Sequence, residues 1–381
     1  MSGDRSIVLV AHDVHDRGGM ERAFFELVAR TAGERRFVVV ARELDPRLRP
    51  LVEWRRIRTP ARPFPLKFLL FALLAGIELR RVRGSLVHTL GAIVPNRADL
   101  ATVQFCHAGF RAATGGLAPA DAPPLRRLNT AISRAAALAF ERWCYRPRRL
   151  RRFAAVSRGV AAELARHYGR VPATITPNGV ELDRYAPDPA TRAAVRGELG
   201  AREDELVVLF VAGDWDRKGL GVAIDGVAAA ARETASPLAL WVVGRGDTAR
   251  FRRRAEAAGA RVELLGPRDD AERYFRAADV FLLPTLYETF SLVAHEAAAA
   301  GLPVVATRVS GIDELVGDDE AGLLVERDPA AVADALVRLG DPELRRRLGE
   351  EAARRAANYS WERSVEAVRR TYRDLLEDEG C

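Results

Sequence analysis

Lysine is almost missing from this chain of 381 residues: only Lys67 and Lys218 occur, so 57 of its 59 basic residues are arginine. The net charge of +7 therefore reflects an arginine-rich composition, and no nucleic-acid reading motif accompanies it. Cysteine is scarce as well. Cys106, Cys144 and Cys381 make neither a disulfide framework nor a paired zinc-ligand spacing, which points to a reducing, cytoplasmic compartment. Long apolar runs are absent: the longest, Leu66–Ile77, falls well short of the ~20 residues of a membrane span. The run Ile7–Val10 is too short for a secretory core and no small-residue cleavage site follows it, so no targeting segment is expected. A hydrophobic content of 48% with 29% charged residues excludes intrinsic disorder, and the length suits two or three domains.

What is present is alternation. Short β-branched runs predict strands at Ser6–Val10, Phe37–Ala41, Leu86–Thr89, Ala101–Phe105, Arg152–Val156 and Ala173–Thr176. A second series follows at Leu206–Ala212, Leu238–Val243, Arg261–Leu265, Val280–Leu283, Val304–Ala306 and Gly322–Val325. Helical patterns lie between most of them, as at Glu21–Ala32, Val160–Tyr168, Val222–Arg232, Ala249–Ala258 and Leu292–Ala300. Strand and helix repeated in this way imply an α/β fold of parallel sheets covered on both faces. The pattern restarts after Tyr185-Ala186-Pro187-Asp188-Pro189. Two doubly wound domains are therefore expected, at 1–185 and 186–360, with the amphipathic tail from Trp361 packing back on the first. In such folds ligands sit outside the carboxyl ends of the strands.

Four loops at strand ends hold residue types suited to a phosphate-bearing ligand. Gly213-Asp214-Trp215-Asp216-Arg217-Lys218-Gly219 combines close backbone approach, a helix start and two cations. It is not a Walker loop, and Asp214-Trp215-Asp216, followed at once by two cations, reads as loop chemistry rather than a metal site. Thr285-Leu286-Tyr287-Glu288-Thr289-Phe290-Ser291 leads into a helix at Leu292, whose first backbone N–H groups are free for sugar or phosphate oxygens. Glu288 before that helix and Glu296 inside it are carboxylates able to accept hydrogen bonds from vicinal hydroxyls. Gly18-Gly19-Met20-Glu21-Arg22 opens the first helix without the GxGxxG spacing of a dinucleotide fingerprint, which disfavours hydride transfer. His107, after Gln104-Phe105-Cys106, is either a substrate contact or a satisfied histidine. Gly244-Arg245-Gly246 and Gly266-Pro267-Arg268 are glycine turns that by spacing alone say only loop.

Together these residues resemble a known family. Glu288 and Glu296 with seven residues between them, continuing to Gly301-Leu302-Pro303-Val304-Val305-Ala306, resemble the EX7E signature of retaining nucleotide-sugar glycosyltransferases of the GT-B fold (family 4, group 1). Pro177-Asn178-Gly179-Val180, Asp183, Val156-Ser157 and Gly18-Gly19-Met20-Glu21-Arg22 are similar to its other recurring segments, in order. The Gly213–Gly219 turn and Phe140-Glu141-Arg142 are most similar to its lipopolysaccharide-core glucosyltransferase branch.

The resemblance implies two Rossmann-like domains facing a cleft and a hexose transferred from UDP-glucose or a similar nucleotide sugar to a glycan or lipid-linked acceptor of the cell envelope. It assigns catalysis to Glu288, Lys218, Arg217 and His107. Donor binding falls to Gly19, Gly213, Arg217, Lys218, Gly244, Arg268, Glu288, Phe290, Ser291, Leu292 and Glu296. Arg217 and Lys218 would hold the diphosphate in place of a metal, so no metal or other cofactor is expected, and Glu296 would hold the ribose. Two departures stand out: Ser291 occupies a position where many relatives have Gly, and the lipopolysaccharide branch has no clear counterpart of His107. The alternatives are a GDP-mannose-dependent mannosyltransferase, a sugar-nucleotide epimerase and a non-catalytic nucleotide-sugar-binding protein. Nucleic acid is not an expected partner. Two segments suit a peripheral membrane contact on an inner leaflet, the basic stretch Arg126–Arg152 and the arginine-flanked Leu66–Ile77; the alternatives are a solvated helix face for the first and a buried helix with solvated ends for the second. Acceptor choice is expected in Ala11–Arg17, Pro60–Gly84 and Ala108–Pro124.

Overall fold

The structure, a computed structural model, describes residues 6–60, 64–82, 85–115, 124–234 and 236–378. Arg62, Arg83, Cys381, parts of the expected acceptor loops Pro60–Gly84 and Ala108–Pro124, and the side chains of Arg126 and Arg127 lie outside the described residues. The chain divides into two compact units, Met1–Asn178 with Trp361–Cys381, and Gly179–Ser360. The break thus comes ahead of the boundary expected at Tyr185. The short helix Leu182–Tyr185 packs on the helices Glu272–Ala277 and Leu292–Ala299, and Tyr185 meets Phe275 edge-on at 5.4 Å.

The first unit is built on a seven-stranded parallel sheet. Its spatial order is Glu53–Arg56, Phe37–Ala41, Ile7–Val10, Leu86–Leu90, Ala98–Val103, Leu150–Ala155, Ala173–Ile175. Counted along this sheet the order reads 3-2-1-4-5-6-7. Ile7-Val8-Leu9-Val10 is buried at every position, as a central strand covered on both faces requires. The edge strand Glu53–Arg56 was not expected from sequence, because Glu53, Arg55 and Arg56 hide its pattern; charge is a usual way to blunt a sheet edge. The fifth and sixth strands begin earlier than expected, at Ala98 and Leu150, and end at Val103 and Ala155. The C-terminal helix Trp361–Glu377 completes this unit's core with Val365, Tyr372 and Leu375.

The second unit repeats the plan with six parallel strands: Val262–Gly266, Leu238–Val243, Leu206–Val211, Val280–Leu283, Val304–Thr307, Gly322–Val325. Here the order is 3-2-1-4-5-6. In both sheets the winding reverses between the first and fourth strands, where a doubly wound sheet opens a crevice at the strands' carboxyl ends.

The apolar run Leu66–Ile77 lies in the helix Phe64–Leu79 of the first unit. Phe68, Phe71, Ala75 and Leu79 are buried, while Leu66, Leu69, Leu73 and Ile77 form an exposed stripe on the same helix. Among the described residues no helix is long and apolar enough to cross a membrane.

Candidate active site

In the second unit the first strand ends at Val211 and the chain turns through Ala212–Asp214 into the short helix Trp215–Lys218. Asp214 caps this helix by accepting from the Arg217 N–H, and Trp215 Nε1 donates to Ala212 O at 3.0 Å, which anchors the turn to the sheet. Gly219 follows at φ 86°; a Cβ there would lie 2.1 Å from Pro284 O. Only glycine lets the Lys218 turn lie so close to the loop after the fourth strand.

That closeness brings three expected residues together. Lys218 Nζ lies 2.5 Å from Glu288 Oε1, and Arg217 Nη1 donates to the same oxygen at 3.2 Å and to Tyr287 O at 2.7 Å. The Thr285 hydroxyl adds a third donor to Glu288 Oε1 at 2.9 Å. The Lys218 side chain is 12% exposed and that of Glu288 9%. Burial pulls the Lys218 pKa below the usual lysine range and Glu288 pushes it back up. The result is a buried Lys218 and a half-buried Arg217 that share one oxygen of Glu288, Arg217 pairing with Asp214 as well.

The following helix, Leu292–Ala299, starts from Ser291, which adopts a left-handed backbone at φ 66°. A side chain in this conformation is strained. The Ser291 hydroxyl is buried without a partner and makes no cap, so the first N–H groups of the helix are left to a ligand. Phe290 is held by His295, whose ring stacks on it at 3.9 Å; His295 Nδ1 lies 3.0 Å from Ser291 O, and burial pulls its pKa down to about 4. Glu296 lies within electrostatic reach of Arg184.

The other expected donor residues divide. Gly244 backs directly onto the turn: a Cβ there would lie 1.8 Å from Ala212 O, and one at Gly246 would enter the Trp215 ring. Gly213 meets nothing that a Cβ would touch. Arg268 is engaged elsewhere; its Nε donates to Leu265 O at 3.1 Å and its guanidinium lies over Tyr274. Asp216 pairs with Arg250 at 2.7 Å, and Asp214 with Arg217 at 3.2 Å. Among the described residues no group of three or more His, Cys, Asp or Glu is arranged to hold a metal.

Sequence reasoning missed Arg327 and Gly311. Arg327 donates to Pro284 O at 3.1 Å and to Asp216 O at 2.9 Å, tying the two loops of the site together. A Cβ at Gly311 would collide with the Phe290 backbone. Neither carries a local motif. Thr285 offered a signal, a hydroxyl three residues before Glu288 on one turn.

The first unit holds Gly19 and His107. Gly19 begins the helix Gly19–Thr31 after Gly18 at φ 89°. His107 begins the helix His107–Thr114, where the buried Glu141 accepts from the His107 and Ala108 N–H groups at 2.8 and 3.2 Å and from the Tyr168 hydroxyl at 2.9 Å. Burial pushes the Glu141 carboxyl up to about 7, against these hydrogen bonds. The imidazole of His107 is pulled down to about 4 by burial and by Arg134, and its Nδ1 is buried without a partner. A cavity of about 230 Å³ lies beside it, lined by His12, Asp13, Lys67 and Gln104 among others.

Paired doubly wound units, with a cationic turn and a carboxylate-bearing helix start at the reversal of the second, define a GT-B glycosyltransferase fold. Two family models match the chain: Glycosyltransferase Family 4 over residues 17–184 and Glycosyl transferases group 1 over 205–341. The chain belongs to this glycosyltransferase family. It is 36% identical over 233 residues to D-inositol 3-phosphate glycosyltransferase of Corynebacterium glutamicum, covering 57% of this chain and 56% of that one. It spans about half the length of the curated relatives it matches. Among solved structures it is similar to WaaG, a glycosyltransferase involved in lipopolysaccharide biosynthesis, with a TM-score of 0.78 at 22% identity, over 95% of this chain and 98% of that one. Sucrose-phosphate synthase of Thermosynechococcus elongatus matches with a TM-score of 0.75 at 25% identity, over 98% and 100%. The likeness to WaaG is one of fold.

Proposed function

We propose that this chain is a retaining glycosyltransferase that moves a hexose from a nucleotide sugar, UDP-glucose in the favoured reading, to a glycan or lipid-linked acceptor. The observation that carries it is the Arg217–Lys218–Glu288 cluster at the sheet reversal, beside a helix start with free N–H groups. In this reading the donor's diphosphate takes the two cations from Glu288 Oε1. Desolvated and already positioned, they neutralise the charge that develops on the leaving phosphate, with no metal ion invoked. Glu288, freed of its partners, then accepts from hydroxyls of the transferred sugar, Glu296 from those of the ribose, and the N–H groups at Ser291 and Leu292 meet phosphate oxygens. The leaving phosphate takes the acceptor's proton, so no separate base is assigned.

A peripheral membrane contact belongs to the same reading. The exposed stripe Leu66, Leu69, Leu73, Ile77 supports it, as do Leu128 and Ile132, exposed on the helix Pro124–Cys144. The basic stretch contributes less than its composition suggests. Arg149 lies over Trp143 and donates to Pro95 O, Arg151 pairs with Asp99, and Arg152 with Asp374 and Asp378. Arg142, Arg146 and Arg148 remain exposed for an anionic leaflet.

The test is a thermal-shift screen of UDP, GDP, ADP and their sugars. The expected outcome is a rise in Tm with UDP and UDP-glucose, since a ligand that binds only the folded state stabilises it by mass action. A rise with GDP-mannose alone selects the mannosyltransferase, and no rise with any nucleotide refutes the reading.

A further inference from the structure

The cavity of the first unit has a chemistry of its own. At about 230 Å³ it is smaller than the roughly 300–1,000 Å³ of sites for drug-sized ligands, so it suits a single ring. One wall is apolar, with Phe68, Ile93 and Phe105. Beside that lining, with His12 at 5.9 Å from Phe68 and His107 at 4.8 Å from Phe105 between ring centroids, stand groups without hydrogen-bond partners. His12 packs against Phe71 at 4.3 Å between ring centroids, and both of its ring nitrogens are buried with no hydrogen bond; His107 Nδ1 is in the same condition. Burial, with Lys67 nearby, pulls the His12 pKa down to about 4, so near neutral pH each imidazole is uncharged and offers a donor or an acceptor. Such atoms are costly to leave buried and unpaired, and a hydroxylated ligand would satisfy them.

Lys67 is the one Lys or Arg among the described lining residues. Its Nζ lies 3.4 Å from Asp13 Oδ2, and Asp13 is also held by Arg42 at 2.9 Å. An ammonium and a carboxylate side by side donate to one hydroxyl and accept from its neighbour, the arrangement that vicinal hydroxyls of a ring take up. Glu21 and Glu141 also line the cavity. A phosphate would therefore find its single cation already paired and carboxylates around it.

We propose that this cavity seats the neutral hydroxylated ring of the acceptor, held by the Lys67–Asp13 pair and the open imidazoles of His12 and His107 against an apolar wall. This rests on the glycosyltransferase reading and narrows it, because the name of the Corynebacterium relative contains a phosphorylated cyclitol.

Saturation-transfer NMR on the full chain with UDP tests it, using methyl α-D-glucopyranoside, myo-inositol and glucose 6-phosphate as probes. The expected result is that a neutral probe binds about tenfold or more tightly than glucose 6-phosphate, and that both Lys67→Met and His12→Phe weaken it about tenfold, as losing one buried hydrogen bond does. His12→Phe suits the surrounding phenylalanines, and the Tm of each variant checks its fold. Tighter binding of glucose 6-phosphate, neutral binding that survives both substitutions, or no binding of any probe by a chain that UDP stabilises overturns the proposal. A chain that binds methyl glucoside through Lys67 yet is stabilised by no nucleotide keeps the polyol site and loses the glycosyltransferase reading.

Discussion

Each of the chain's two lysines meets a carboxylate where its own sheet reverses, but the two corners are finished differently. In the second unit Lys218 follows the first strand, and Glu288 reaches it from the loop after the fourth; three donors close on one carboxylate oxygen. In the first unit the polarity is inverted. Asp13 follows the first strand, and Lys67 comes from the helix Phe64–Leu79 at a looser 3.4 Å, beside a cavity with two neutral histidines. One topology thus carries a compact ionic clamp in one unit and, in the other, a pocket that sets one ion pair among imidazoles and apolar side chains. The backbone crevice is common to both, and the side chains decide whether it suits a diphosphate or a polyol.

The strongest way to break this contrast is to remove the clamp's cation. Lys218→Ala is expected to lower kcat about 10²–10³-fold, the usual loss when one preorganised group on a developing negative charge is deleted. Steady-state transfer kinetics measure it, and a near-normal kcat would leave Lys218 a structural partner of Glu288.

Acid should separate the units next. His12 and His107, pulled down to about 4, and His88, pulled down to about 3, are neutral in the folded first unit; each takes a proton at about 6.5 once the chain opens. The unfolded state then binds more protons, so stability is full above pH 6.5 and is lost as pH falls through that value toward 4. Glu141 opposes this between 7 and 4.5, where its raised carboxyl makes the folded state the better proton binder. The second unit has His295 alone among the described histidines. Hydrogen exchange at pH 7 and pH 5, corrected for intrinsic rates, should show protection lost first in residues 6–178; equal loss in both units would refute the assignment.

Smaller effects sharpen the description of the clamp. Ser291→Gly relieves a left-handed residue and should raise stability by about 1 kcal/mol, seen as a higher Tm and an unchanged fold. Asp216→Asn removes an exposed pair with Arg250 and should cost at most about 0.5 kcal/mol, with transfer little changed and insensitive to EDTA. Loss of activity in both experiments would instead make Asp214-Trp215-Asp216 a metal site.

Much of this was legible along the chain. Both parallel sheets follow from β-branched runs separated by helical patterns, because a strand buried on both faces leaves a continuous apolar signature, as Ile7–Val10 and Leu206–Val211 do. The Arg217–Lys218 turn and the Glu288–Glu296 segment are equally local, since helix starts and glycine turns are set by neighbouring residues. Glu53–Arg56 escaped because a charged edge strand does not alternate, and the pairing of Arg151 with Asp99 and of Arg152 with Asp374 on the C-terminal helix was hidden because those partners lie far along the chain.

By itself, then, the sequence determined most of the strands, the restart of the winding and the residues of the donor turn, all of which depend on short-range periodicity. Tertiary structure alone decided that Lys218 and Arg217 share one oxygen of Glu288, that Arg327 and Gly311 shape their loops, and that Lys67 meets Asp13 beside His12. Those pairings join residues far apart in the chain, and only the strand order, with its reversal at the first strand, brings them within bonding distance.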